Sequence, residues 1–130
     1  MKSDTRTVLN TSLSVVSSYS SSSLDVGDLY ELAIDMSVTQ VVFVAVNDSV
    51  SFNLSRIGAD GNLYFLKGIL ELDETTLGIG THNFSPADTF SINVGAGLPT
   101  NVSFGDQIQV DLVVSSGCSL TTTLSIKGKG

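Results

Sequence analysis

Residues 50–66 read VSFNLSRIGADGNLYFL. In an extended chain Val50, Phe52 and Leu54 fall on one side, and Ser51, Asn53 and Ser55 fall on the other, because strand side chains alternate with a period of two. Gly58-Ala59-Asp60-Gly61-Asn62 then turns the chain, since Asp-Gly takes the positive φ angles of tight hairpins. Leu63-Tyr64-Phe65-Leu66 returns. The unit is a β-hairpin with one apolar face, and an isolated hairpin is at best marginally stable in water.

The same period continues outward. Leu9, Thr11, Leu13 and Val15 alternate with Asn10, Ser12 and Ser14; Leu32, Ile34, Met36 and Val38 alternate with Glu31, Ala33, Asp35 and Ser37. Toward the C-terminus, Phe90 to Val94 forms a strand. Ile108, Val110, Leu112 and Val114 then face inward from Gln107 to Val114, and Leu120, Thr122, Leu124 and Ile126 do so from Leu120 to Ile126. Ser115-Ser116-Gly117 turns between these last two, and Gly95-Ala96-Gly97-Leu98-Pro99 is an irregular connection. Ser17 to Ser23 is too polar to pack and is read as a loop or an edge segment. The continuous run Val41-Val42-Phe43-Val44-Ala45-Val46 predicts a strand covered on both faces, or a contact surface.

About eight strands with one buried face each require two sheets stacked on one another. The predicted fold is all-β: a two-sheet antiparallel sandwich spanning residues 1–130 as one domain. Jelly-roll and immunoglobulin-like topologies give the same alternation, so both stay open.

Composition supports this reading. Ser and Thr make up 32 of 130 residues and charged residues only 15%, which suits strand surfaces better than helix surfaces. The net charge is −7. Between residues 7 and 126 twelve carboxylates face only Arg56 and Lys67, a net of −10. Clustered cations for phosphate binding are missing, which excludes nucleic acid as the expected partner. Lys2 and Arg6 lie at one end and Lys127 and Lys129 at the other. They are expected as short basic tails, about 1–6 and 127–130, either solvated or docked on an acidic neighbour.

No segment is apolar enough to span a membrane, and no apolar run of signal-peptide length follows the first charges. The expectation is a chain made and folded in a cytosol. Five Asn-x-Ser/Thr triplets, at Asn10, Asn47, Asn53, Asn83 and Asn101, are read as chance in a Ser-rich sequence. With Cys118 alone, neither an intrachain disulfide nor a cysteine zinc site can form.

Few residues invite catalysis. His82 is the sole histidine, and no nucleophile-elbow pattern surrounds any serine. Glu71, Asp73 and Glu74 form the densest acid cluster, but nothing sets a second acid opposite them for glycoside hydrolysis. They are read as a solvated acidic turn. Asp60-Gly61-Asn62 lacks the spaced oxygen ligands of a calcium loop. The expectation is no enzyme, no cofactor and no metal. Tyr19, Tyr30, Tyr64 and the 41–46 run are candidate interface anchors, with core the favoured reading for Tyr64 and the run.

Three further elements carry a resemblance. Ile34-Asp35-Met36-Ser37-Val38-Thr39 follows a Ser/Thr-rich linker. Ser51-Phe52-Asn53-Leu54 leads to Asp60-Gly61-Asn62-Leu63-Tyr64. Val94-Gly95 and Leu98-Pro99 precede two closing strands. Together they resemble the small β-sandwich virion proteins of tailed bacteriophages, including head-decoration (cement) proteins; the 41–49 segment is longer here than the short loop common in those proteins. The resemblance implies a virion protein that binds the major capsid protein or another virion protein on the outside of a head, assembled in a host cytoplasm. A homo-oligomer such as a trimer is within this expectation. The docking residues expected are Lys2, Arg6, Val42, Phe43, Val44, Lys127 and Lys129. The competing expectations are a tail, neck or fibre component, a carbohydrate- or host-surface-binding module, and a cellular adhesion domain.

Overall fold

The structure, a computed structural model, describes residues 5–16, 18–95 and 104–130. Lys2, Ser17, Leu98-Pro99 and Asn101 lie outside the described residues. The described strands are β1 (Thr5–Val15), β2 (Tyr19–Ser20), β3 (Leu24–Asp25), β4 (Glu31–Phe43), β5 (Ser49–Ile57), β6 (Leu63–Asp73), β7 (Gly80–Gly95), β8 (Gln107–Val114) and β9 (Ser119–Lys129). A single helical turn, α1 (Glu74–Leu77), joins β6 to β7.

Two antiparallel sheets result. One has the order β1-β9-β4-β7 and the other β2-β8-β5-β6, with β3 also on β8. The pairing is nested: β1 with β9, β2 and β3 with β8, β4 with β7, β5 with β6. In the immunoglobulin order the first strand lies beside the second. Here it lies beside the last, so that alternative falls.

The core is where the alternation places it. Leu32, Ile34, Met36 and Val38 of β4 meet Val50, Phe52 and Leu54 of β5, Ile108, Val110 and Leu112 of β8, and Leu124 and Ile126 of β9, all fully buried. Thr122 is the polar member of the β9 inward row. It is 2% exposed, and its Oγ1 donates to the Ser37 carbonyl at 2.8 Å, which removes the penalty of burying a hydroxyl.

The run 41–46 divides in a way its composition hides. A register shift lies between Val38 and Gln40 of β4. A bulge of this kind moves later side chains to the other face. Val41 and Phe43 therefore turn inward and are fully buried, while Val42 faces out. The strand ends at Phe43, leaving Val44 and Val46 exposed on a loop. The run is neither a doubly covered strand nor a single surface.

The Ser/Thr excess has a place as well. On the outer face of the first sheet, Ser12 is hydrogen-bonded to Thr123 and Ser37 to Thr89, Ser91 donates to Asp35, and Gln40 donates to Asn83. These cross-strand pairs cover the sheet with polar groups, most of them neutral. The Ser-rich segment becomes an edge laid on β8, where Ser21 is buried; the Val110 amide donates to its Oγ at 3.0 Å. On the other edge, β6 carries two register shifts against β5, and Lys67 stands opposite the buried Leu54. Bulges and a charge of this kind discourage pairing with stray strands.

Val94-Gly95 acquires a physical reason. Gly95 has φ 144°, and a Cβ there would collide with the Tyr30 carbonyl. Only glycine admits both the angle and the close approach.

Candidate functional site

Register brings four exposed valine and isoleucine side chains to one end of the sandwich. Val15 pairs with Leu120, Val42 with Ser119, and Phe43 with Gly80. Val16, Val44 and Ile79 therefore follow the last pairs of one sheet, in a row across its end. Neighbouring strands lie about 4.8 Å apart, so Val16 and Val44 are separated by roughly 10 Å. Val46 stands on the loop that crosses from β4 to β5. The exposures are 73% for Val16, 51% for Val44, 69% for Val46 and 56% for Ile79. Four such side chains at one end form a patch, which means more than the same residues scattered singly.

The patch sits on a fastened loop. Asp48 is buried, and its Oδ2 accepts from the amides of Val44 at 2.8 Å and Ala45 at 2.7 Å. Asn47 takes φ 69°, a left-handed angle that Asn tolerates better than most residues. Its amide donates to Glu74 Oε2 at 3.2 Å, and the Glu74 amide donates to the Asp48 carbonyl at 2.8 Å. Across the end, the Ser49 amide donates to Ser115 Oγ and the Cys118 amide to the Ser115 carbonyl. Buried beneath, the Cys118 thiol donates to the Asp48 carboxylate. That bond, with the Val44 and Ala45 amides, holds Asp48 below the usual carboxylate range. Burial first, and the Asp48 carboxylate second, push the Cys118 thiol up to about 11, so it stays protonated and unreactive at neutral pH.

The sequence-predicted docking residues fall in three places. Val44 belongs to the end patch, with Val42 half-buried beside it on the outer sheet face. Phe43 is corrected: it is fully buried, with its ring 6.2 Å from that of His82, and offers no surface. The basic ends are also not tails where described. Arg6 lies in β1 and donates to Asp28 at 2.7 Å and to the Asp25 carbonyl at 2.9 Å. Lys127 and Lys129 lie in β9, opposite Ala33 and Glu31 of β4, and border a shallow groove of about 200 Å³ with Thr5 and Glu31. Strand pairing runs to the end of the chain and absorbs them. Sequence reasoning missed Val16 and Ile79, because single apolar residues in loops carry no periodic signal, and it held Val46 only as part of the 41–46 run.

The residues weighed for chemistry have structural partners. His82 Nε2 donates to the Gly78 carbonyl at 2.8 Å. Asp73 caps α1, accepting from the Thr76 amide at 2.8 Å. Asp60 accepts from the Asn62 amide and the Tyr64 hydroxyl within the hairpin turn, and these bonds, the hydroxyl first, lower its pKa. Tyr64 is corrected from core to surface: it is 40% exposed, with the Arg56 guanidinium 4.5 Å above its ring. Among the described residues, no group of three or more His, Cys, Asp or Glu is placed to hold a metal ion, and no helix is long and apolar enough to cross a membrane.

Fold and patch together define an all-β sandwich with a preformed apolar end. No protein-family model and no curated protein sequence matches the chain. Solved structures similar to it include the SPBc2 prophage-derived protein YomS, at 10% identity over 96% of this chain and 93% of that one, TM-score 0.43. Infectious bursal disease virus, Gx strain, gives 12% identity over 97% of this chain and 32% of that one, TM-score 0.42. A Bacillus thuringiensis Cry1Da tryptic core variant gives 13% identity over 88% of this chain and 18% of that one, TM-score 0.36. The chain thus spans about a third or less of the last two. Likenesses this remote carry no argument about function.

Proposed function

We propose that this protein is a non-enzymatic virion structural protein, a decoration (cement) protein that binds the outside of a phage head and braces neighbouring capsomers. The observation that carries the docking role is the apolar end: Val16, Val44, Val46 and Ile79 exposed together, two of them on a loop fastened by Asp48. A surface held in shape before binding loses little entropy on docking. The nested strand order is read as a jelly roll, rolled from one long hairpin into two Greek keys. The sequence resemblance to phage head-decoration proteins supplies the setting. Symmetry repeats the contact many times over a head, so modest affinity at each site suffices. The hydroxyl-rich face and acidic body keep the unattached protein soluble.

Mass spectrometry of purified particles, with copy number, tests the reading. Copy numbers on the order of hundreds, as multivalent coverage of a lattice requires, support head decoration. A dozen or fewer moves the protein to the tail, neck or vertices. Absence from particles overturns the virion reading.

A further inference from the structure

The described cations are segregated along the length of the sandwich. Around the apolar end stand carboxylates: Glu71 and Asp73 close β6, and Glu74 opens α1. Asp48 is spent inside the loop; Glu74 holds the Asn47 amide next to Val46, Asp73 pairs with Ser49, and Glu71 stands two residues further along β6, opposite Ser51. The described cations lie elsewhere. Arg6, Lys127 and Lys129 belong to the opposite end of the first sheet, Arg56 to the far end of β5, and Lys67 to the middle of β6. The end that offers apolar side chains therefore offers negative charge and no described positive charge.

We infer that the partner of this end is a protein surface with an apolar socket rimmed by Lys or Arg. This rests on the reading that the end docks. Apolar side chains at the centre supply burial, and charges at the rim steer the encounter and penalise wrong partners. An acidic rim next to a desolvating contact repels acidic surfaces and phosphate backbones. Glu71 is exposed and Glu74 half-buried, with Oε2 taken by the Asn47 amide; both belong to the same end of the sandwich as the valines.

Retention on hexylamine-agarose in a salt gradient tests the chemistry without any virion, because the resin presents an alkyl chain beside an amine. Val46→Ser is expected to elute at lower salt than the unmodified protein, and Phe65→Ser, equally exposed at the other end of the molecule, with it. Glu71→Gln and Glu74→Gln are expected to elute earlier than Asp88→Asn, which removes the same charge from the middle of β7. Equal shifts for Val46→Ser and Phe65→Ser, or for all three carboxamide variants, would overturn the inference.

Binding to purified heads lacking the protein separates this from the docking reading. The Glu71→Gln, Glu74→Gln pair is expected to weaken binding about three- to tenfold at low salt, with the difference gone near 1 M, where screening is nearly complete. Heads that lose Val46→Ser but bind the charge variants unchanged at every salt would overturn the basic rim and keep the docking surface. Heads that bind no form, with the resin order intact, would overturn the virion reading and keep the partner chemistry.

Discussion

At the scale of single residues, Asp48 connects fold to surface. Its carboxylate takes two loop amides and the Cys118 thiol, and these bonds lower its pKa. A lowered folded-state value means that this stabilisation is complete above the ordinary carboxylate range, near 3.8, and is lost as pH falls through the folded value. Protection of the Val44 and Ala45 amides against hydrogen exchange should thus drop selectively in acid; protection unchanged at pH 3 relative to pH 7 would contradict the assignment. Cys118 carries the opposite sign. Its thiol is raised from 9.0 to about 11, so the neutral form contributes fully below pH 9 and its contribution is lost as pH rises through 11. The melting temperature of the wild type should fall between pH 9 and 11 by more than that of Cys118→Ala. Neither role is visible in the sequence, where Cys118 and Asp48 are seventy residues apart and only the closing of the sheets makes them neighbours.

At the scale of elements, legibility follows burial. Strands with a fully buried face, β4, β5, β8 and β9, announce themselves through alternation, and their inward residues are those found in the core. Edge strands are legible only in part: β1 shows its alternation, while β6 and β7 do so over only part of their length. Only Phe90 to Val94 of β7 is readable, because Thr81, Asn83, Ser85 and Asp88 face solvent and Pro86 reads as a breaker. The later part of β6 is hidden by its two register shifts. The bulge near Thr39 is the instructive case: one extra residue turned an apparent contact run into core plus loop. Register can be tested directly. Leu112 is fully buried between Phe52 and Tyr19 in the sheet. Leu112→Asp should abolish cooperative unfolding, since it buries an unpaired charge, and Phe52→Ala should cost about 3–5 kcal/mol. A soluble, cooperatively folding Leu112→Asp would place the strand one residue out of register.

At the scale of the whole molecule, the two ends divide the work. The end that holds Arg6, Lys127 and Lys129 is built into strand pairing, and the Arg6–Asp28 pair is solvent-exposed on both sides. Arg6→Ala should therefore cost about 0.2–1 kcal/mol in chemical denaturation and leave attachment to heads unchanged. A clear loss of attachment would return the docking role to the basic end. The apolar end was the part of the surface least legible in the sequence. Its residues come from three separate segments, and only Val44 and Val46 lay in a stretch that sequence alone could single out.

The central claim, that this end attaches the protein to a larger assembly, is tested most directly by occupancy of purified heads. The double variant Val44→Asp, Val46→Asp is compared with the wild type once matching melting temperatures show that both are folded. The predicted result is loss of occupancy by the variant at concentrations that saturate the wild type. Full occupancy by a folded variant would contradict the account.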